Sequence, residues 1–375
     1  MILKQLDNKI KTDCRYFKGF IPCIYNKSDD AECFSLESGL CNFYNKINER
    51  ILIIKLGAAG DVIRTTPLLY PVRNKFPNSF IYWLTDFPEL VPSYGNSKNG
   101  ADKVLKLDEK SISFLKSCHF DTIYNLDKDE HACGLINQLD SSEKHGYILK
   151  NNLPYPTNDN AVHKYNTGLF DRLSKENKKN YLDEIFEICG FVFNKEEYIL
   201  PEYERFENES IDKNKIVIGL NTGCGGRWTS RLWSEKYWIE LTRNLWGNHF
   251  EVILLGGKEE DEKNKRIAYL TGAKYFGTFP LKYFIGLVDK CEIVVSVVTM
   301  AMHIAIGLKK KLVLLNNIFN KNEFELFNRG IILEPEKKCT CYFSPTCINS
   351  EYKCIEHIRP ESVYEVITKL LYLDQ

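Results

Sequence analysis

Three loops carry side chains that could do chemistry. The first, Gly57-Ala-Ala-Gly60-Asp61, puts a carboxylate just past a short apolar run. A carboxylate there either takes a proton from a hydroxyl or caps the helix that follows. The second loop, Asn221-Thr-Gly-Cys-Gly-Gly226, is followed by Arg227 and Arg231. An arginine fork pairs with a diphosphate and steadies leaving-group charge; the alternative is a solvated surface pair. The third brings Thr299 and His303 in behind the run IVVSVV. A threonine hydroxyl and the amides of a helix start can hold phosphate, whereas a histidine at that place is otherwise a packed core residue. Neither Gly-rich loop reads GxGxxG or GxxxxGK[ST], which disfavours a dinucleotide dehydrogenase and a P-loop kinase.

The 13 cysteines are the other chemical resource. Cys14, Cys23, Cys33 and Cys41 follow the spacing C-x8-C-x9-C-x7-C, and Cys339, Cys341, Cys347 and Cys354 follow C-x-C-x5-C-x6-C. Neither shows the tight knuckles of a zinc finger. Each set either gathers around zinc or iron or packs as reduced thiols, and one site drawing on both sets is a third arrangement. An ion held by four thiolates would be structural, because no coordination position is left open. Cys118, Cys133, Cys189, Cys224 and Cys291 stand singly in mixed or apolar surroundings and read as small core residues.

Elements that could position these loops follow from hydrophobic runs. ILIIKL at 51–56 is continuous and β-branched, as a buried parallel strand requires. A helix is expected over 67–75 and strands over 80–86, 103–107 and 122–126. The pattern restarts with strands over 215–223, 249–257, 291–298 and 311–316. Helices are expected between them over 233–246, 259–271, 281–289 and 300–308, and a last amphipathic one over 361–375. Such alternation predicts α/β architecture with parallel sheets and a ligand cleft at the carboxyl ends of the strands. The expected organisation is a Cys-containing extension at 1–48, a first Rossmann-like domain at 49–205, a second at 206–350, and a terminal helix at 351–375. The linker falls near 200–214.

Composition removes several classes. Lysine plus arginine equals aspartate plus glutamate, 50 each, so the basic surplus of a general nucleic-acid binder is missing. With 44% hydrophobic and 27% charged residues the chain is not mostly disordered. No run approaches the roughly 18 apolar residues of a membrane span, and the first residues lack a signal-peptide core. The expectation is a cytoplasmic protein, with peripheral membrane association left open.

Four segments, in order, resemble glycosyltransferase family 9, the heptosyltransferase-like family. They are KLGAAGDVIRTTPLL, the stretch around RLWSEKYW, VVSVVTMAMHIAIGL, and the tail CTCYFSPTCINSEYKC followed by IRPESV. The resemblance implies a GT-B architecture of two facing domains, with the last helix crossing back to the first. It implies inverting transfer of a sugar from a nucleotide diphospho-sugar, typically ADP-L-glycero-D-manno-heptose, with Asp61 as general base and no metal in the chemical step. Donor contacts then fall to Gly60, Thr222, Gly223, Arg227, Arg231, Thr299, Met300 and His303. Glu260, with Glu259 nearly as well placed, matches the family's nucleotide-side acid, and Phe279 a wall beside the base. Acceptor contacts fall to Asp127 and Lys128, or that stretch is a charged helix start, and to His163 in the polar stretch before the linker. The acceptor would be a lipopolysaccharide core, another glycan or a protein hydroxyl. Protein-modifying members are similar in joining a family 9 body to cysteine-held iron.

Two departures are visible. LLNNIFNKNEFELF stands where the family has Phe-Gly-Pro-Thr after the strand at 311–316. Val298-Thr299-Met300 stands where the family has Asp-Thr-Gly. Valine makes no side-chain hydrogen bond, so the donor sugar differs, another group grips it, or the chain binds a nucleotide sugar without transferring it.

Overall fold

The computed structural model describes residues 10–33, 41–212, 214–247, 249–337, 339–349 and 352–372. Its first sheet contains β1 (Arg50–Ile54), β2 (Phe80–Thr85), β3 (Lys103–Lys106), β4 (His119–Asn125), β5 (Asp140–Lys150) and β6 (Leu153–Pro156). They lie in the order β3-β2-β1-β4-β5-β6, and only the β5–β6 pair is antiparallel. The second sheet contains β7 (Ile216–Asn221), β8 (Phe250–Leu255), β9 (Ile293–Val297), β10 (Lys311–Leu315) and β11 (Gly330–Leu333), in the all-parallel order β11-β10-β9-β7-β8. Covering both faces of a parallel sheet makes its central strands apolar throughout, and β1 and β9 are buried accordingly. In each sheet the strand order reverses at its first strand, β1 or β7, and those two strands run into the Gly-rich loops. That switch point is where open α/β sheets bind ligands.

Between helix Tyr181–Ile188 and β7, residues 191–208 have no helix or strand. The two halves then meet through the helices Ala59–Thr65 and Met300–Gly307. Gly60 makes that approach possible. A Cβ added there would stand 2.5 Å from Cδ2 of His303. Gly60→Val is expected to overpack this contact and to destabilise the fold by about 1–3 kcal/mol, read as a lowered midpoint in urea unfolding.

The last helix corrects an expectation. Pro360–Tyr372 does not cross back to the first half. Val363, Ile367 and Leu370 are buried in one cluster with Trp238, Leu241 and Leu245 of the second half. The stripe of Val363, Ile367 and Leu370, one face of a helix, fits the groove beside helix Glu235–Leu245, and Lys311 Nζ donates to the Leu370 carbonyl at 2.7 Å. The first half is covered instead by Tyr181–Ile188, whose Leu182, Ile185 and Phe186 enter its core.

Candidate functional site

A cavity of about 630 Å³ opens at the carboxyl ends of β1 and β7. Ala58, Ala59, Gly60, Asp61 and Arg64 line it from the first half, and Asn221, Gly223, Arg231, Glu260, Phe279, Thr299, Met300 and His303 from the second.

Asp61 is the third residue of helix Ala59–Thr65. Its Oδ2 accepts the Ala58 amide at 3.3 Å and its Oδ1 lies 2.8 Å from Arg64 Nη2. This carboxylate helps to cap the helix and also faces the cleft. Burial alone would raise its pKa. The charges of Arg64 and Lys55 and the Ala58 amide outweigh that and hold it down at about 2. Arg64 reaches across to Glu323 of the second half at 2.8 Å, and its guanidinium lies 3.6 Å from the ring centre of Tyr181.

At the other end, Arg231 is buried and donates to the carbonyls of Val298 and Cys224. Burial lowers its pKa to about 10, so it stays charged at neutral pH. Among the described residues no carboxylate forms an ion pair with it. Thr299 sits at the start of helix Met300–Gly307 but does not cap it. Its hydroxyl is held by Asn221 Nδ2 at 3.2 Å and Ser296 Oγ at 3.0 Å. The first amides of that helix are thus left without a side-chain cap beside an unneutralised arginine, a pairing suited to an anion. Glu260 stands opposite, its Oε2 accepting the Gly257 amide at 2.9 Å. Gly223 admits it, because a Cβ there would lie 2.2 Å from the Glu260 carboxyl carbon.

His303 is buried, and its Nδ1 has no hydrogen-bond partner. Burial, then the charge of Arg64, pushes its pKa down to about 3. A base whose folded pKa is depressed contributes stability above its unfolded value near 6.5, and that stability is lost as pH falls towards 3. We expect wild-type stability to climb with pH across this window by at most about 1.4 kcal/mol per pH unit from this group. Chemical denaturation of His303→Asn at several pH values should show a flatter slope.

Several expected contacts lie elsewhere. Thr222 is buried with its hydroxyl on Asn264 Oδ1 at 2.6 Å, turned from the cleft. Arg227 is exposed and outside the lining. The acceptor-side trio does not reach the cleft either. Asp127 holds Lys55 Nζ at 2.9 Å and the Leu56 amide at 2.5 Å. His163 is 3.2 Å from Asn177 Oδ1. Burial and then Lys164 draw Lys128 down to about 8.

The sequence reading missed an aromatic wall. Trp228, Phe319 and Phe343 line the cavity with ring centres 5.5 Å apart in each pair, and Arg64 and Glu323 join the two halves beside Asp61. Arg64 lies one helical turn from Asp61, a spacing that could have flagged it. The tail loop supplies Phe343 and is pinned near Arg231, where Ser230 Oγ donates to the Ser344 carbonyl at 2.6 Å.

In the tail, Cys341 Sγ and Cys347 Sγ stand 3.7 Å apart. Cys339 Sγ accepts the Cys341 amide at 3.1 Å, and Asn317 Nδ2 donates to Cys354 Sγ at 3.2 Å. The N-terminal four line a separate small cavity, so one site shared by both sets is not what the fold builds. Among the described residues no three Cys, His, Asp or Glu side chains are already gathered as a metal-holding group. No described helix is long and apolar enough to cross a membrane.

Two facing, mainly parallel α/β halves with a cleft at their switch points define a GT-B fold. Residues 173–352 match the family model for glycosyltransferase family 9 (heptosyltransferase). A relative, lipooligosaccharide heptosyltransferase 2 of Campylobacter jejuni, is 22% identical over 328 residues, covering 83% of this chain and 96% of that protein. The fold is shared with E. coli ADP-heptose LPS heptosyltransferase II, at TM-score 0.60 and 16% identity over 87% of this chain and 99% of that one. It is also shared with the iron-containing dodecameric glycosyltransferase TibC of enterotoxigenic E. coli, at TM-score 0.54 and 12% identity over 88% and 78%. The chain is a glycosyltransferase, similar over residues 173–352 to family 9.

Proposed function

We propose that this enzyme moves a heptose, or a closely related sugar, from an ADP-sugar to a hydroxyl of a glycan or protein, with inversion. The observation that carries the reading is Arg231, a buried cation with no carboxylate partner among the described residues, beside the uncapped amides of Met300–Gly307. A diphosphate supplies the missing charge there. Asp61, ionised across the cleft, takes the acceptor proton. The freed oxygen attacks the anomeric carbon as the nucleoside diphosphate leaves, and Arg231 with the helix amides stabilises the departing charge. A nucleotide-sugar donor suits a cytoplasmic enzyme.

The tail also suits a structural ion. A tetrahedral tetrathiolate with metal–sulfur bonds of about 2.3 Å has sulfurs about 3.8 Å apart, and the Cys341–Cys347 separation of 3.7 Å already matches that edge. Cys339 and Cys354 would complete the set and fix the loop that carries Phe343 into the cleft.

A changed donor is the second reading. Val298 and Met300 line the cleft, and the Val298 carbonyl, not its side chain, makes the polar contact. Thermal unfolding with ADP, UDP, GDP and ADP-heptose separates the two readings. A ligand at 100 times its Kd that binds only the folded state adds about 2.7 kcal/mol. We expect ADP to raise the melting temperature and ADP-heptose to raise it further. Stabilisation by UDP or GDP alone would replace the donor assignment, and no stabilisation by any of them would overturn it.

A further inference from the structure

The N-terminal extension has little apolar interior of its own. Phe20, Ile21 and Ile24 are largely exposed, at 81%, 50% and 64%. Segments of this size usually need a disulfide or a metal to hold one shape. Cys14, Cys23, Cys33 and Cys41 nevertheless reach one cavity of about 20 Å³, roughly the space of a single water or ion.

The four arrive from separate pieces of backbone. Cys14 pairs with Lys46 in a short antiparallel bridge, Cys23 caps helix Ile24–Asp29, Cys33 follows that helix, and Cys41 opens the segment returning to β1. Two of the sulfurs are already served by backbone donors, Cys23 Sγ by the Asn26 amide and Cys41 Sγ by the Phe43 amide, each at 3.4 Å. Amide donors of this kind stabilise thiolate charge and orient metal ligands. Aromatic rings wall the space. Tyr25 stacks on Phe43 at 4.1 Å, and Tyr16 meets Tyr25 edge-on at 4.8 Å. No carboxylate or imidazole lines the cavity, and Lys11 is its one charged neighbour among the described residues.

We propose that Cys14, Cys23, Cys33 and Cys41 form a closed tetrathiolate site for a soft divalent ion, zinc or iron, that staples the extension to the first domain. The donor set is sulfur only, which selects such ions over magnesium or calcium. Loading converts four thiols to thiolates, releases four protons and leaves a site of net charge −2, offset in part by Lys11 and the two amides. The sulfurs are not gathered at ligand distances as they stand, so the ion draws them in across the small cavity. The staple acts through the next residue. Arg15 forms an ion pair with Asp102, and its other nitrogen donates to the Ser79 carbonyl at 2.8 Å, fixing the extension beside β2 and β3. The site is independent of the donor assignment.

The test uses the full-length protein purified without chelator under reducing conditions. Elemental analysis of wild type and of Cys33→Ser/Cys41→Ser should show a loss of one equivalent of zinc or iron per chain in the variant. Equal metal content, or none in the wild type, overturns the proposal. A second measurement needs no variant. Native protein is alkylated with and without a strong chelator, and each cysteine is scored by mass spectrometry. Cys14, Cys23, Cys33 and Cys41 should be protected until the chelator is added. Equal labelling with and without chelator, or Cys14–Cys41 peptides found joined by disulfides, overturns it as well.

Discussion

Asp61→Asn is expected to lower kcat for sugar transfer by about three orders of magnitude, within the range that a general base contributes, while stabilisation by ADP stays as in the wild type. On the proposed mechanism the substitution removes the proton acceptor and little else. The amide side chain keeps an oxygen for the Ala58 amide, and Arg64 keeps its other carboxylate partner, Glu323. Because Asp61 titrates at about 2, it remains ionised at every pH where the protein would be assayed. The acid side of the rate profile should therefore show no loss from this group down to about pH 4. A carboxylate held so low is a weak base in isolation. Its effectiveness rests on the proton leaving the acceptor as the new bond forms, and on Arg64 pointing it into the cleft. Single-turnover rates measured with saturating donor separate the step. Undiminished turnover in Asp61→Asn would remove it from the mechanism, and loss of the ADP response as well would show that the variant had damaged the donor site.

The positions of the main strands were legible because β1, β7, β9 and β10 are buried and so are written as unbroken apolar runs. The cleft loops followed, since the switch points must lie after β1 and β7. What was not legible depended on side-chain direction. Thr222 and Thr299 both sit in cleft loops, yet Thr222 turns to the buried Asn264 while Thr299 stays in the lining. Arg227 and Arg231 are one helical turn apart in sequence, but the short 3-10 turn Thr229–Arg231 sends only Arg231 inward. The terminal helix took its expected partner from the family resemblance, because an amphipathic stripe says only that a face is buried, not against what. The aromatic wall was missed because Phe319 lies outside the matched segments and Phe343 inside a tail segment that was read only for its cysteines; tertiary contacts alone bring both to the cleft.

Arg231→Met should cut the ADP-induced rise in melting temperature to about half or less while leaving the unliganded protein close to its original stability. The two effects have one cause. Keeping a guanidinium in the interior without a counter-charge costs desolvation energy, and the depressed pKa of about 10 reflects it. The carbonyls of Val298 and Cys224 offset part of that cost. Methionine gives up those hydrogen bonds but also removes the buried charge, so the two terms oppose each other in the unliganded state. In the complex there is no such offset. The diphosphate would lose a charge-assisted fork in a desolvated pocket, worth about 1.5–3 kcal/mol, or about 10- to 150-fold in Kd by the tenfold-per-1.4 kcal/mol rule. Charge development on the leaving group should add a fall of about 10²–10³ in kcat. Arg231→Lys retains the charge without the fork and should sit between the two. Calorimetric titration of ADP into wild type, Arg231→Lys and Arg231→Met reads the order directly. An unchanged ADP affinity in Arg231→Met would mean that the diphosphate lies elsewhere in the cleft. In that event the uncapped start of Met300–Gly307 would have to hold it alone, which moves the reacting anomeric carbon relative to Asp61.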